Sequence, residues 1–294
     1  MHQPTSLSLL PLTRTALLFT SLCALAGAQI QPVASETFEY PSPGSFHNLS
    51  GGVGFASAWD VTGAGAGVEL FDGTAAIPFP GSDGRGGFAG QGSVNGEAFR
   101  LIDGLSHPDI ADAAGTMGSD GATVWISFSS MLYVGATGQH WGGLSLFDQG
   151  VEVMFLGAPY TTDMWGFADY GPNGAWIQTV AGSSDVVAAR LVYRIDHTAG
   201  MDRMRLWVDP TDPHPSSPAD LDMAIADLHW NEIRLASGGW NADGFYWDDL
   251  VIEKGHDEGT LGLSYCGPAV VNSSGASAVI SATGSLIATG NDVT

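Results

Sequence analysis

The chain is short of positive charge: among 294 residues there are 9 Lys and Arg against 31 Asp and Glu, and Lys254 is the single lysine. A net charge of −22 repels phosphate backbones and anionic lipid, which argues against nucleic acid and membrane surfaces as partners. Two cysteines, Cys23 and Cys266, are too few for a disulfide framework. No apolar run is long enough to span a bilayer. Helical periodicity is weak throughout, and no histidine pair shows ligand spacing such as His-x-x-x-His. No Gly-x-Ser-x-Gly is present, which argues against serine hydrolase chemistry.

What is abundant is glycine, 41 residues, alongside an ordinary hydrophobic content of 44%. Such a chain buries a sizeable core and punctuates it with turns. Residues 1–28 read as a secretory signal peptide. Arg14 supplies the positive end, Thr15 to Leu25 the apolar stretch, and Ala26-Gly27-Ala28 the small-residue cleavage site. Cleavage takes the charge from −22 to −23 and removes Cys23, leaving Cys266 alone. A lone thiol outside the cell suggests an intermolecular bridge, a partner further along a longer chain, or a buried unreactive cysteine. The chain stops at Gly290-Asn291-Asp292-Val293-Thr294 without a closing turn, so the expectation is a truncated sequence.

The dominant period is two. Val124, Ile126 and Phe128 face one way, Trp125 and Ser127 the other. Gly143–Phe147 and Val151–Leu156 flank Asp148-Gln149-Gly150, a hairpin signal. Arg190–Ile195 and Arg203–Val208 predict a second hairpin, in which Leu191, Tyr193 and Ile195 meet Met204, Leu206 and Val208. The arginines at 190, 194, 203 and 205 then lie wet on the opposite face. Further strands are expected at Thr37–Tyr40, Val68–Leu70, Ala98–Ile102, Trp176–Val180, Trp230–Leu235 and Phe245–Glu253, and one short helical turn at Pro218–Asp227 capped by Ser217. Many short strands with Gly, Asp and Pro turns give an all-β fold class, an antiparallel β-sandwich of jelly-roll type, over 29–254. Residues 255–264 read as a linker, and 265–294, rich in Ser, Gly, Ala and Val, as an incomplete C-terminal module.

Thr37-Phe38-Glu39-Tyr40-Pro41, then Gly51-Gly52-Val53-Gly54-Phe55 and Trp59, resembles the first strand of secreted bacterial domains with the concanavalin A-like (laminin G-like) jelly-roll fold. Ile233–Gly239 and Tyr246-Trp247-Asp248-Asp249-Leu250-Val251-Ile252 resemble the closing strands of those domains. The resemblance spans about residues 36–254 and implies that the first and last strands lie side by side. Tyr265-Cys266-Gly267-Pro268 through Gly275 resembles the start of a small C-terminal module of exported environmental-bacterial proteins, which normally runs on to a further cysteine.

The resemblance implies two chemistries. Laminarinase-type members carry Glu, Asp and Glu at alternate positions of one strand, and neither Glu-x-Asp-x-Glu nor Glu-x-Asp-x-x-Glu occurs here. Jelly rolls also hold structural Ca²⁺ between first and last strands, at positions matching Glu36 or Glu39 and Asp248 or Asp249, with Asn241 and Asp243 able to add oxygens. These acids either bind calcium or simply solvate the surface. From the residues themselves, Trp141, Tyr160, Asp163, Trp165, Tyr170 and Trp176 form an aromatic and polar set suited to stacking on sugar rings. Trp141, Trp165 and Trp176 serve either binding or core packing; Trp125, Trp207 and Trp230 are expected in the core. The expectation is therefore a secreted, non-catalytic glycan-binding or adhesion module whose partner is a polysaccharide or cell-surface glycan. A laminarinase-type hydrolase or lyase and a structural protein without ligand are the alternatives.

Overall fold

In a computed structural model, the described residues are 31–40, 44–62, 69–72, 85–89, 96–132, 140–160, 162–171, 176–239, 244–255, 277–280 and 286–289. The signal peptide, Asn241, Asp243, most of the linker and Cys266 lie outside them. The chain divides into two units, Ala28–Thr260 and a second made of Met1–Gly27 with Leu261–Thr294. Among the described residues no helix is long and apolar enough to cross a membrane.

In chain order the first unit holds β1 (Gln31–Glu36), β2 (Gly44–Ser45), β3 (Asp60–Thr62), β4 (Glu69–Asp72), β5 (Arg85–Ala89), β6 (Gly96–Leu101), β7 (Thr123–Leu132), β8 (His140–Asp148) and β9 (Val151–Ala158). It continues with β10 (Gly166–Asp169), β11 (Trp176–Thr179), β12 (Ala189–Asp196), β13 (Asp202–Val208), β14 (Leu221–Ile225), β15 (Glu232–Gly239) and β16 (Phe245–Gly255). The second unit's described part is the hairpin β17 (Ser277–Ile280) and β18 (Leu286–Thr289).

The strands of the first unit form an antiparallel sandwich. One sheet runs β14-β13-β12-β7-β16-β5-β4-β2, with β1 also on β16; the other runs β11-β10-β9-β8-β15-β6-β3. First and last strands are paired, Glu36 opposite Leu250 and Pro32 opposite Glu253. The second predicted hairpin has the expected register, Leu191 opposite Val208, Tyr193 opposite Leu206 and Ile195 opposite Met204. Gln149 and Gly150, at φ 48° and 83°, make the two-residue turn between β8 and β9, where positive φ at both positions matches the strand twist.

Three expectations need correction. Thr37–Tyr40 is not a strand: β1 ends at Glu36 because Phe38 takes φ 58°, a left-handed conformation costly for a bulky residue. Its amide donates to Glu36 Oε1 at 2.9 Å, and its ring stacks 5.6 Å from Phe46. Residues 218–227 form no helical turn; Leu221–Ile225 is the edge strand β14, zipped to β13 with Leu221 opposite Leu206. Backbone pairing with an open sheet edge outweighs a weak local helical preference. Nor are all four arginines wet. Arg194 is buried on the outer face of its sheet beside the stacked pair Trp125–Trp207, which packs there with Val192, away from the main core.

The main core lies between the sheets and includes Trp59, Trp165, Trp230, Trp247, Phe167 and Phe245. Across it runs a buried ion pair. Glu36 on β1 and Arg100 on β6 meet at 2.6 Å (Oε2 to Nη1), and Tyr40 and Trp59 also donate to the same oxygen.

Candidate functional site

Strand alternation and register build one outer face of the seven-stranded sheet. Phe99 on β6 pairs with Arg234 on β15, Arg234 with Ser145 on β8, Ser145 with Phe155 on β9, and Phe155 with Ala168 on β10. Paired residues share a face, so these five form a row across five strands. The neighbouring row is small: Ala236 pairs with Gly143, Gly143 with Gly157, and Gly157 with Gly166. With no side chains standing between them, Trp141 reaches across this row and meets Phe155 edge to face at 5.9 Å. The result is an open cavity of about 300 Å³ lined by Glu97, Trp141, Glu152, Phe155, Tyr160, Tyr170 and Arg234.

Its polar centre is Arg234. Nη1 donates to Glu97 Oε1 at 2.9 Å, and Nη2 to Glu152 Oε1 at 2.8 Å and Ser145 Oγ at 2.9 Å. Ser145 in turn donates to Glu152 Oε1 at 2.6 Å. The guanidinium lies 4.8 Å from the Phe147 ring centre, so an aromatic ring of the same face also holds it. Glu152 reaches this face through a bulge: the register shifts beyond the Leu146–Met154 pair, and Phe147 then pairs with Glu152 instead of Val153. Burial, followed by the charge of Glu152, raises the Tyr170 phenol above its ordinary value.

The aromatic set expected from sequence is therefore divided. Trp141, Tyr160 and Tyr170 come together at the cavity. Trp165 does not: it is 1% exposed and packs edge-on against Phe245 in the core. Trp176 pairs with Asp169, which pairs with Met154, so it stands on the core side of the sheet edge, against Phe167. Asp163 lies in the β9–β10 loop with its side chain 71% exposed and its Oδ1 3.4 Å from His140 Nε2. Arg234, Glu97, Glu152 and Ser145 were missed by sequence reasoning, which sought carboxylates along one strand. The available signal was a charged residue inside an apolar alternation, as in Ile233-Arg234-Leu235 and Val151-Glu152-Val153.

The acids matched to calcium fall elsewhere. Glu36 is buried, and its carboxylate accepts from Phe38, Tyr40, Trp59 and Arg100. Glu39 is exposed. Asp248 and Asp249 sit where the β16–β7 register shifts and β16 exchanges β5 for β1 along its other edge; Asp248 Oδ1 accepts from the Asp249 amide. Among the described residues, the cluster whose metal-binding atoms lie within 4.8 Å of one another is His140, Asp163 and Asp185. His140 opens β8, and the two acids come from the β9–β10 and β11–β12 loops.

No family model matches the chain, and no curated protein matches it. Solved structures to which the chain shows similarity include a carbohydrate-binding module, CBM66, from Bacillus subtilis (13% identity, 66% of this chain and 94% of that one, TM-score 0.36). Others are an alginate lyase from Corynebacterium sp. (10%, 67% and 93%, TM-score 0.37) and a GH131 beta-glucanase catalytic domain from Podospora anserina (16%, 68% and 85%, TM-score 0.36).

Proposed function

We propose that the outer face of the seven-stranded sheet is a glycan-binding surface of an exported, non-catalytic module. The observation that carries the reading is the cavity itself: Trp141, Tyr160 and Tyr170 surround a fixed Arg234–Glu97–Glu152–Ser145 network. Sugar C–H faces stack on aromatic rings, while a preset array of donors and acceptors reads hydroxyl positions without being ordered at the moment of binding. The trough left by Gly143, Gly157 and Gly166 gives an extended chain room to lie across the strands. The strong net negative charge disfavours polyanions at a distance, so neutral polysaccharides are the expected class.

The test is a panel of polysaccharides and oligosaccharides bound to the chain beginning at Gln29. Trp141→Ala should weaken binding by about ten-fold or more, roughly 1.4 kcal/mol, and Trp176→Ala should leave it unchanged. A folded wild-type protein that binds nothing in the panel, or a Trp141→Ala protein that binds as well, would sink the reading. Glu97 and Glu152 facing one cavity favours a second reading, two-carboxylate glycoside hydrolysis. Both acids are occupied by the same guanidinium, which suits a binding scaffold better than an acid and nucleophile pair. Release of reducing ends in the same panel would decide for the enzyme.

A further inference from the structure

At the start of β8, one residue before Trp141, His140 is turned toward two carboxylates. Its Nε2 lies 2.9 Å from Asp185 Oδ2 and 3.4 Å from Asp163 Oδ1. Asp185 is wholly buried, and while Oδ2 faces the imidazole, Oδ1 has no hydrogen-bond partner. A wholly buried carboxylate with one oxygen lacking a donor is a costly arrangement, and a cation held at its Oδ2 neutralises the charge. Asp163 is exposed and gives that cation a path from solvent.

From this geometry we infer that His140, Asp163 and Asp185 form a binding site for a first-row divalent metal of the Zn²⁺ type. Metal–donor bonds of about 2.1 Å set donor–donor edges near ~3.0 Å at right angles and ~3.4 Å at the tetrahedral angle, and the two edges that meet at His140 Nε2 have these lengths. Ca²⁺ prefers oxygen donors at longer range and fits the imidazole poorly. Binding replaces the Nε2 proton, so affinity falls as pH falls. One nitrogen and two carboxylates leave a coordination position for water. The metal ties the β9–β10 loop, which also carries Tyr160, to the β11–β12 loop and the start of β8. The site stands whether or not the neighbouring cavity takes glycans.

The experiment is titration of chelator-stripped full chain with Co²⁺, followed by its d–d absorption and by displacement with Zn²⁺. Saturable one-to-one binding is expected. Asp163→Asn, at an exposed position, should weaken it ten-fold or more with no change in the melting of the metal-free protein, and His140→Gln should abolish it. Folded wild-type protein without saturable binding overturns the site, as does undiminished binding in Asp163→Asn. Displacement of Co²⁺ by equimolar Ca²⁺ overturns the choice of metal class.

Discussion

Replacing Arg100 with methionine leaves the volume of the inter-sheet space roughly filled and removes the counter-charge that Glu36 has among the described residues. In the native protein the two are 2% and 1% exposed, and the guanidinium makes three bonds: to Glu36 Oε2, to the Ser57 carbonyl and to the Gly51 carbonyl. It also lies 3.9 Å from the Phe55 ring centre. The substitution strands a buried carboxylate that still accepts from Phe38, Tyr40 and Trp59 but has lost its counter-charge. Breaking a buried pair from one side costs about 3–5 kcal/mol. For a domain of this size each kcal/mol shifts the midpoint by about 2–4 °C, so melting should fall by about 6–20 °C. Urea unfolding followed by tryptophan fluorescence gives the same loss independently. The double variant Arg100→Met/Glu36→Gln should recover part of the loss, because it removes the unpaired charge. A loss below about 1 kcal/mol at neutral pH would refute the reasoning, since Arg100 would then be only filling space.

Two further outcomes follow from the same core. Burial, then the hydrogen bond to Glu36, pushes the Tyr40 phenol up to about 12, so the folded state holds a proton that the unfolded state releases near 10. That contribution is complete below pH 10 and is lost as pH rises toward 12; Tyr40→Phe should flatten this part of the stability profile, measured as urea midpoint against pH. Trp165→Ala should cost about 3–5 kcal/mol in urea unfolding, as a large core ring does; a loss of glycan binding without that destabilisation would return Trp165 to the site.

Legibility from sequence followed the range of the interaction. The Leu191–Tyr193–Ile195 face was readable because alternation is a property of one strand, and its register with β13 followed from a short hairpin. The limit of β1 was not, because Phe38 is held in a left-handed conformation by Glu36 and by rings from Phe46 and Trp59. Trp141 and Trp165 looked alike in the sequence, each a tryptophan among polar and small residues. One faces outward by its place in β8, and the other is turned into the core beside Phe245.

The sequence by itself determined the acidity, the glycine-punctuated alternation and hence the all-β sandwich, since composition and period act locally and every strand carries its own pattern. Only the tertiary structure decided the site. Arg234, Glu97, Glu152 and Ser145 come from four strands, and His140, Asp163 and Asp185 from three separate places in the chain. Which strand lies beside which is fixed by the burial of whole faces, a collective outcome that no single segment records.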